Sequence, residues 1–540
     1  SFARGRQLCA GNLIFAGHLV EAPDAMIWDI AAPDAAWEAE IHGFCWLDDL
    51  AAVGDARARL LARKWVWGWI ARYGSGKGDG WTPEAAGRRL IRAIHHALFL
   101  LRGAEADEAA AFYRALAAQT IFLARRWPST PPGLARFEAL TGLLYAGLSF
   151  EGMGAHAETA RKGLGVECAA QIDAEGGLPT RNPEDLLEVF TLLSWARAAL
   201  GDEDLTPDEA HDAAIGRIAP TLRALRHADG GLARFQGGGR GLEGRLDQAL
   251  AASGVRRRPS AGLAMGYARL SGGRSSLIVD AAPPPSGAAS HDAHASTLAF
   301  ELTSGRRPLV VSCGSGAGFG ADWRRAGRAT PSHSTLCLDG YSSARLANPR
   351  PGDDGACEWL EDGPKQVPAE IGQIEGGQRF EGGHDGYRRT HGLTHARILE
   401  LSADGRAVSG EDMLITLDDA DKRTFDRRLD AASLSGLPWQ LRFHLHPEID
   451  AALDMGGSAV SLALRSGEVW VFRHDAGPRL TLEPSVYLEK GRLRPRAAKQ
   501  IVLSGRAMEY ATRIRWSLAK TQDTAIAVRD VARDEAEPTH

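Results

Sequence analysis

Two patterns of apolar residues divide the chain. Up to about residue 250 they recur at three- and four-residue steps, as in Phe137, Leu140, Leu144 and Leu148, in Leu186, Phe190 and Leu193, and in Ile215, Ile218, Leu222 and Leu225. That spacing predicts helices with one buried face. Their starts carry separate signals. Thr82 before Pro83 reads as an N-cap followed by proline at the first helical position, and Asn182-Pro183 repeats the device with Glu184 and Asp185 in the first turn. Thr206-Pro207 predicts a third start. From Gly266 onward the period falls to two, in STLAFEL, PLVVSCG, STLCLDGY, THARILELS, WQLRFHLH, VSLALRSGEVWVFRH and EYATRIRWSL. These read as strands, with Ser466-Gly467 as a hairpin turn.

The order of the patterns gives the fold class: α+β, with a helical array over residues 1–252 and an antiparallel β-sandwich over 253–520. VRRRPSAG is the linker, its arginines read as solvated, and the last residues, 521–540, form a polar tail. An echo at a distance of 54 residues supports the array: EGGLPTRN near Leu178 and DGGLARFQ near Leu232 each end a helical stretch. Repeated helix hairpins of that period build a solenoid or a closed α/α toroid.

At 540 residues the chain exceeds one ordinary core, and 44% hydrophobic with 24% charged residues is the composition of an ordinary globular protein. A formal charge of -5 gives no reason to expect nucleic acid, and no apolar run is long enough for a membrane span. Six scattered cysteines without CxxC spacing read as free thiols. SFARGRQLCAGNLIFAG lacks the pattern of a signal peptide, while the start at Ser1 leaves room for an upstream segment. Nine of the fourteen tryptophans precede residue 200, and Trp65, Trp67 and Trp69 suit helix packing better than sugar platforms. GSGKGDG lacks the strand and the Lys-Ser/Thr ending of a phosphate loop, and GSGAGFGAD lacks a βαβ unit.

Candidate chemistry gathers at the entry to the sandwich. SHDAHASTLAFELTSGRRPLVVSCG, from Ser290 to Gly314, places His291, Asp292 and His294 just before two strands. GHDGYRRTHGLTHARILEL, from Gly383, adds His384 and Tyr387, and RFHLHP adds His444 and His446 on one sheet face. Asn182 has a plain alternative as a helix cap, and a HxH pair alone is weak evidence of zinc.

Helices first, sandwich second and a histidine-rich entry between them resemble the heparinase II/III-like family of polysaccharide lyases, along nearly the whole chain. The motif AHASTLAFELTSGRRPLVVSCG carries the resemblance, with GHDGYRRTHGLTHARILEL and RNPEDLLEV beside it. It implies an α/α toroid packed on a β-sandwich, with an acidic, uronate-containing polysaccharide cleaved by β-elimination in the groove between them. Elimination needs the C5 carboxylate neutralised, then a base and an acid. On that reading Asn182, helped by Arg181, grips the carboxylate, and His294, His384 and Tyr387 move protons. His291, Tyr267 and His446 contact substrate. The resemblance also implies the cell envelope or periplasm, with the cytoplasm as the alternative.

This chain departs from the family pattern at three points. Asp292 stands where the first histidine of a His-x-His pair is expected, displacing His291 by one. Ser312 replaces the acidic residue of metal-containing members, which leaves a sandwich zinc weakly supported. Phe235 follows DGG where a toroid tyrosine is expected. Two other functions therefore stand beside the lyase. A glycoside hydrolase would pair Glu184 or Asp185 with Asp229. A non-catalytic glycan-binding protein would leave Asn182 without a histidine or tyrosine in hydrogen-bond reach.

Overall fold

The helix starts explain the first half of the molecule. In this computed structural model, which describes residues 1–259, 262–338, 340–347 and 358–522, Thr82 Oγ1 accepts from Ala85 N at the head of the Pro83–His95 helix. Asn182 Oδ1 accepts from Glu184 N and Asp185 N at the head of Pro183–Asp202. The third start is corrected: Asp208 caps the Glu209–Ala224 helix, two residues past Thr206, because its carboxylate reaches Ala210 N. Residues 523–540 of the expected polar tail and residues 260–261 of the linker lie outside the described residues.

These helices pack as a toroid. Helix Leu134–Ser149 touches Pro83–His95, Gly154–Gln171 and Pro183–Asp202. Glycine permits the closest crossing. A Cβ on Gly142 would lie 2.5 Å from Gly87 Cα, so these two helices meet backbone to backbone. The tryptophans serve this packing: Trp46, Trp65 and Trp69 are buried, and Trp67 stacks on Phe112 with ring centroids 5.8 Å apart.

Strands fill the second half, in two antiparallel sheets. One runs, from edge to edge, Ala369–Ile374, Gly377–His384, Thr394–Ser402, Ala407–Ile415, Ala511–Gln522, Val469–His474, Ala459–Ala463 and Asp450–Asp454. The other runs Arg479–Tyr487, Arg496–Ala507, Leu437–Leu445, Arg307–Val311, Phe300–Ser304, Ser275–Asp280 and Tyr267–Gly272, with Leu336–Leu338 also paired to Leu437–Leu445. The predicted hairpin forms, Gly467 taking φ +84° between Ala459–Ala463 and Val469–His474. Alternating burial along Thr394–Ser402 and Ala407–Ile415 turns one face inward. There Phe300, Phe443, Phe472 and Trp516 stack in one core, and Gly410 leaves room for the Trp516 ring.

Candidate functional site

The two echoed loops of the toroid both reach the sandwich at one carboxylate. Asp280, buried at the end of strand Ser275–Asp280, accepts from Arg181 Nη2 at 2.5 Å and from Gln236 Nε2 at 2.9 Å. Ser296 Oγ donates to the same carboxylate at 2.7 Å. Both loops use strained backbone for this reach, Arg181 at φ +50° and Gln236 at φ +51°. Gln236 was not singled out from the sequence. Its counterpart in the echo, 54 residues earlier, is Asn182, and that equivalence was the available signal.

Gln236 also sets the entry loop, since its Oε1 accepts from His294 N at 2.8 Å. The next three residues, Gly237, Gly238 and Gly239, run between Asn182 and Asp292. A Cβ on Gly238 would sit 2.3 Å from Asn182 Oδ1, and one on Gly237 would sit 2.8 Å from Asp292 O. Gly239 N donates to Glu184 Oε2 at 2.9 Å, and Lys490 Nζ pairs with the same oxygen at 2.8 Å. Asn182 thus stands against the triglycine turn, 7% exposed, its Oδ1 committed to the helix cap. Its Nδ2 makes no hydrogen bond with any described residue.

Arg181, expected to grip a substrate carboxylate, is spent inside the protein. Besides Asp280, its guanidinium donates to the carbonyls of Met265, Gly266, Ala282 and Pro283 and lies 4.6 Å over the Tyr267 ring. Tyr267 is equally committed. Its hydroxyl donates to Arg181 O at 2.6 Å, its ring stacks on Phe235, and burial drives its phenol well above the usual range. Phe235, in the place expected for a toroid tyrosine, is sealed in that stack.

His384 and Tyr387 fall in the sandwich interior rather than at the groove. The Tyr387 hydroxyl donates to Leu336 O at 3.1 Å, and His384 Nε2 meets His395 Nδ1 at 3.3 Å. His395 Nε2 continues to Asp412 Oδ1 at 2.7 Å, where Arg397 Nε also donates at 2.8 Å. Burial, with His395 and Arg397 close by, holds His384 neutral. The Gly-Tyr segment is therefore a core motif in this chain.

The remaining candidates divide. His294 is buried, 5.1 Å ring to ring from His333, and burial lowers it to about 3. Its Nδ1 has no partner among the described residues, nor has Nε2 of His333. His291 is half-exposed: Arg324 Nη2 donates to its backbone oxygen at 2.7 Å and to Asp292 at 3.1 Å. His446 packs edge-on to Tyr487, and burial lowers it to about 3. The resemblance implies a sandwich zinc, and the donors do not fit one. Ser312 offers a neutral hydroxyl, already 3.1 Å from His333 Nδ1, and no trio of metal-binding side chains occurs among the described residues.

Carboxylates dominate the toroid wall. Burial pushes Asp185 up to about 7, with Lys490 opposing and Glu184 and Asp292 adding to the rise. Asp229, expected to face it in a hydrolase, is instead engaged by Arg240 at 3.2 Å. Asp292 is the acidic residue that bears on Asp185 from the sandwich side.

A toroid packed on a two-sheet sandwich through these contacts defines a heparinase-like architecture. A solved heparinase III matches 96% of this chain and 84% of its own with a TM-score of 0.71 at 13% identity. A heparan sulfate lyase HepC mutant from Pedobacter heparinus matches 97% and 83% with a TM-score of 0.61 at 14% identity. The profile "Heparinase II/III-like, C-terminal" matches residues 254–517. FtsZ-localized protein C of Caulobacter vibrioides is 32% identical over 527 residues, covering 96% of this chain and 88% of that protein. The chain belongs to the heparinase II/III-like family.

Proposed function

We propose that this chain is a non-catalytic member of the family, which binds a ligand in the groove and localises with FtsZ. The neighbourhood of Asn182 carries the reading. Elimination requires a base and an acid beside the group that neutralises the carboxylate. No histidine or tyrosine among the described residues hydrogen-bonds Asn182, while His384, Tyr387 and Tyr267 are each committed inside the fold. The link to FtsZ rests on the name of the Caulobacter relative, which aligns with both domains. This reading goes with the cytoplasmic alternative, where thiols outside any disulfide, such as Cys9, Cys45, Cys168 and Cys313, are at home.

The second reading is a polysaccharide lyase that cleaves a uronate-containing glycan by β-elimination. It is favoured by the free Nδ2 of Asn182 and the buried Nδ1 of His294, neither of which has a partner among the described residues. One pair of assays separates the readings. Purified chain is sedimented with FtsZ polymers, and separately incubated with uronic-acid polysaccharides while the ultraviolet absorbance of unsaturated uronate is followed. Co-sedimentation without an absorbance rise supports the binding protein. A rise that disappears in Asn182→Ala establishes the lyase and overturns it.

A further inference from the structure

A second cluster of reactive groups lies on the sandwich side of the interface, where the groove chemistry has no use for it. Cys313, at the end of strand Arg307–Val311, is fixed through its backbone: its N donates to Ser332 O at 2.9 Å and its O accepts from Leu488 N at 2.7 Å. Its Sγ lies 3.6 Å from His444 Nδ1 and 3.9 Å from Ser485 Oγ. The other nitrogen of that ring settles the tautomer. His444 Nε2 is 2.8 Å from Pro331 O, and a carbonyl only accepts, so Nε2 carries the proton and Nδ1 is the accepting nitrogen, which the Ser485 hydroxyl meets at 2.8 Å and the thiol at longer reach. Thiol and hydroxyl thus share one imidazole nitrogen, and the Pro331 carbonyl fixes the ring that serves them.

Arg234 supplies the field. It reaches from the toroid, donates from Nη2 to Ser312 O at 2.5 Å and lies 4.1 Å over the Tyr487 ring. Burial alone would raise the Cys313 thiol, yet His444, Ser485 and Arg234 outweigh it and the thiol is lowered. The other cysteines differ. Burial raises Cys9 and Cys168 and takes Cys45 to about 12, while Cys337 donates its S–H to the carbonyls of Leu338 and Tyr341 at 3.1 Å. Access is narrow: Cys313 is 4% exposed, behind half-buried Ser485, so only a small reactant enters.

We propose that Cys313 is a peroxide-reactive thiol, activated by His444, whose reactant is a small hydroperoxide. The thiol sulfur attacks the peroxide, an S–O bond forms and the O–O bond breaks. Sulfur gives up two electrons to the peroxide, and the thiol proton passes through His444 Nδ1 to the leaving oxygen, which departs as water or alcohol. The product is the sulfenic acid of Cys313. Its oxygen sits beside the Arg234 anchor that ties the toroid to the sandwich.

The test uses the full, folded chain with hydrogen peroxide and a dimedone-type trap, read by peptide mass spectrometry. Cys313 is expected to be trapped at least about tenfold faster than Cys9, Cys45, Cys168 and Cys337, and His444→Gln to lose about tenfold of that rate. Equal trapping at Cys313 and the four cysteines compared with it, or an unchanged rate in folded His444→Gln, overturns the proposal. If His444→Gln fails to fold, alkylation of the parent by iodoacetamide against pH decides. An inflection at Cys313 below the ordinary thiol value of about 8.5 supports activation, and one at or above it overturns it.

Discussion

Arg181 and Asp280, 99 residues apart, form an ion pair at 2.5 Å across the interface of toroid and sandwich. Asp280 is fully buried, and Arg181 has no water to turn to if the carboxylate is lost. Breaking one side of a buried pair costs about 3–5 kcal/mol. Asp280→Ala is therefore expected to lower unfolding free energy by that order in a denaturant titration. Arg181→Lys should recover little, because a single ammonium cannot reproduce the fork that serves Asp280 and four carbonyls.

The triglycine turn makes a sharper test of the groove. A methyl at Gly238 would fall 2.3 Å from Asn182 Oδ1, too close for either atom to stay. Gly238→Ala is expected to displace the helix cap and cost about 1–3 kcal/mol, with loss of any groove ligand. A melting curve and a binding isotherm on the same variant check both halves.

Asp185 predicts a pH dependence. Its folded value of about 7 lies above the ordinary carboxylate range, so the folded state holds the proton more tightly than the unfolded chain. Its stabilising contribution is complete below about pH 4, declines as pH rises and is gone above about 7. Asp185→Asn should then match the parent in acid and exceed it in stability at pH 8. Urea midpoints across that range give the comparison, and a larger gap in acid than at pH 8 would contradict the assignment.

Tyr387 separates the core role from the catalytic one. Its hydroxyl makes one hydrogen bond, to Leu336 O, within the sandwich. Tyr387→Phe is expected to cost about 1 kcal/mol and to leave ligand binding and FtsZ co-sedimentation unchanged. Calorimetry and the sedimentation assay read the two effects apart.

Much of this architecture was legible because local signals agreed with each other. Thr82-Pro83 and Asn182-Pro183 mark real helix heads, and Ser466-Gly467 marks a real hairpin, because caps and turns depend on neighbours in sequence. Thr206-Pro207 misled by two residues, since Asp208 offers the better acceptor and no local rule ranks the two. The site was less legible. His384 and Tyr387 sit in a motif whose spacing is right, and only the packing of two sheets decides that they point inward. Arg181 looked free beside Asn182, and its partner lies on a strand 99 residues away. Gln236 passed unnoticed because an amide in a glycine-rich loop carries no chemical signature until three partners surround it.

Strand Ala511–Gln522 lies inside its sheet, hydrogen-bonded to Ala407–Ile415 on one side and Val469–His474 on the other. Two groups of strands that precede it in the chain therefore have no ladder to each other until residue 522 has been made. On the ribosome the toroid can condense early while half of the sandwich waits with open edges, and those edges are the ones that aggregate. A chain stopped short of this strand would lose the seam of the sheet rather than a margin of it.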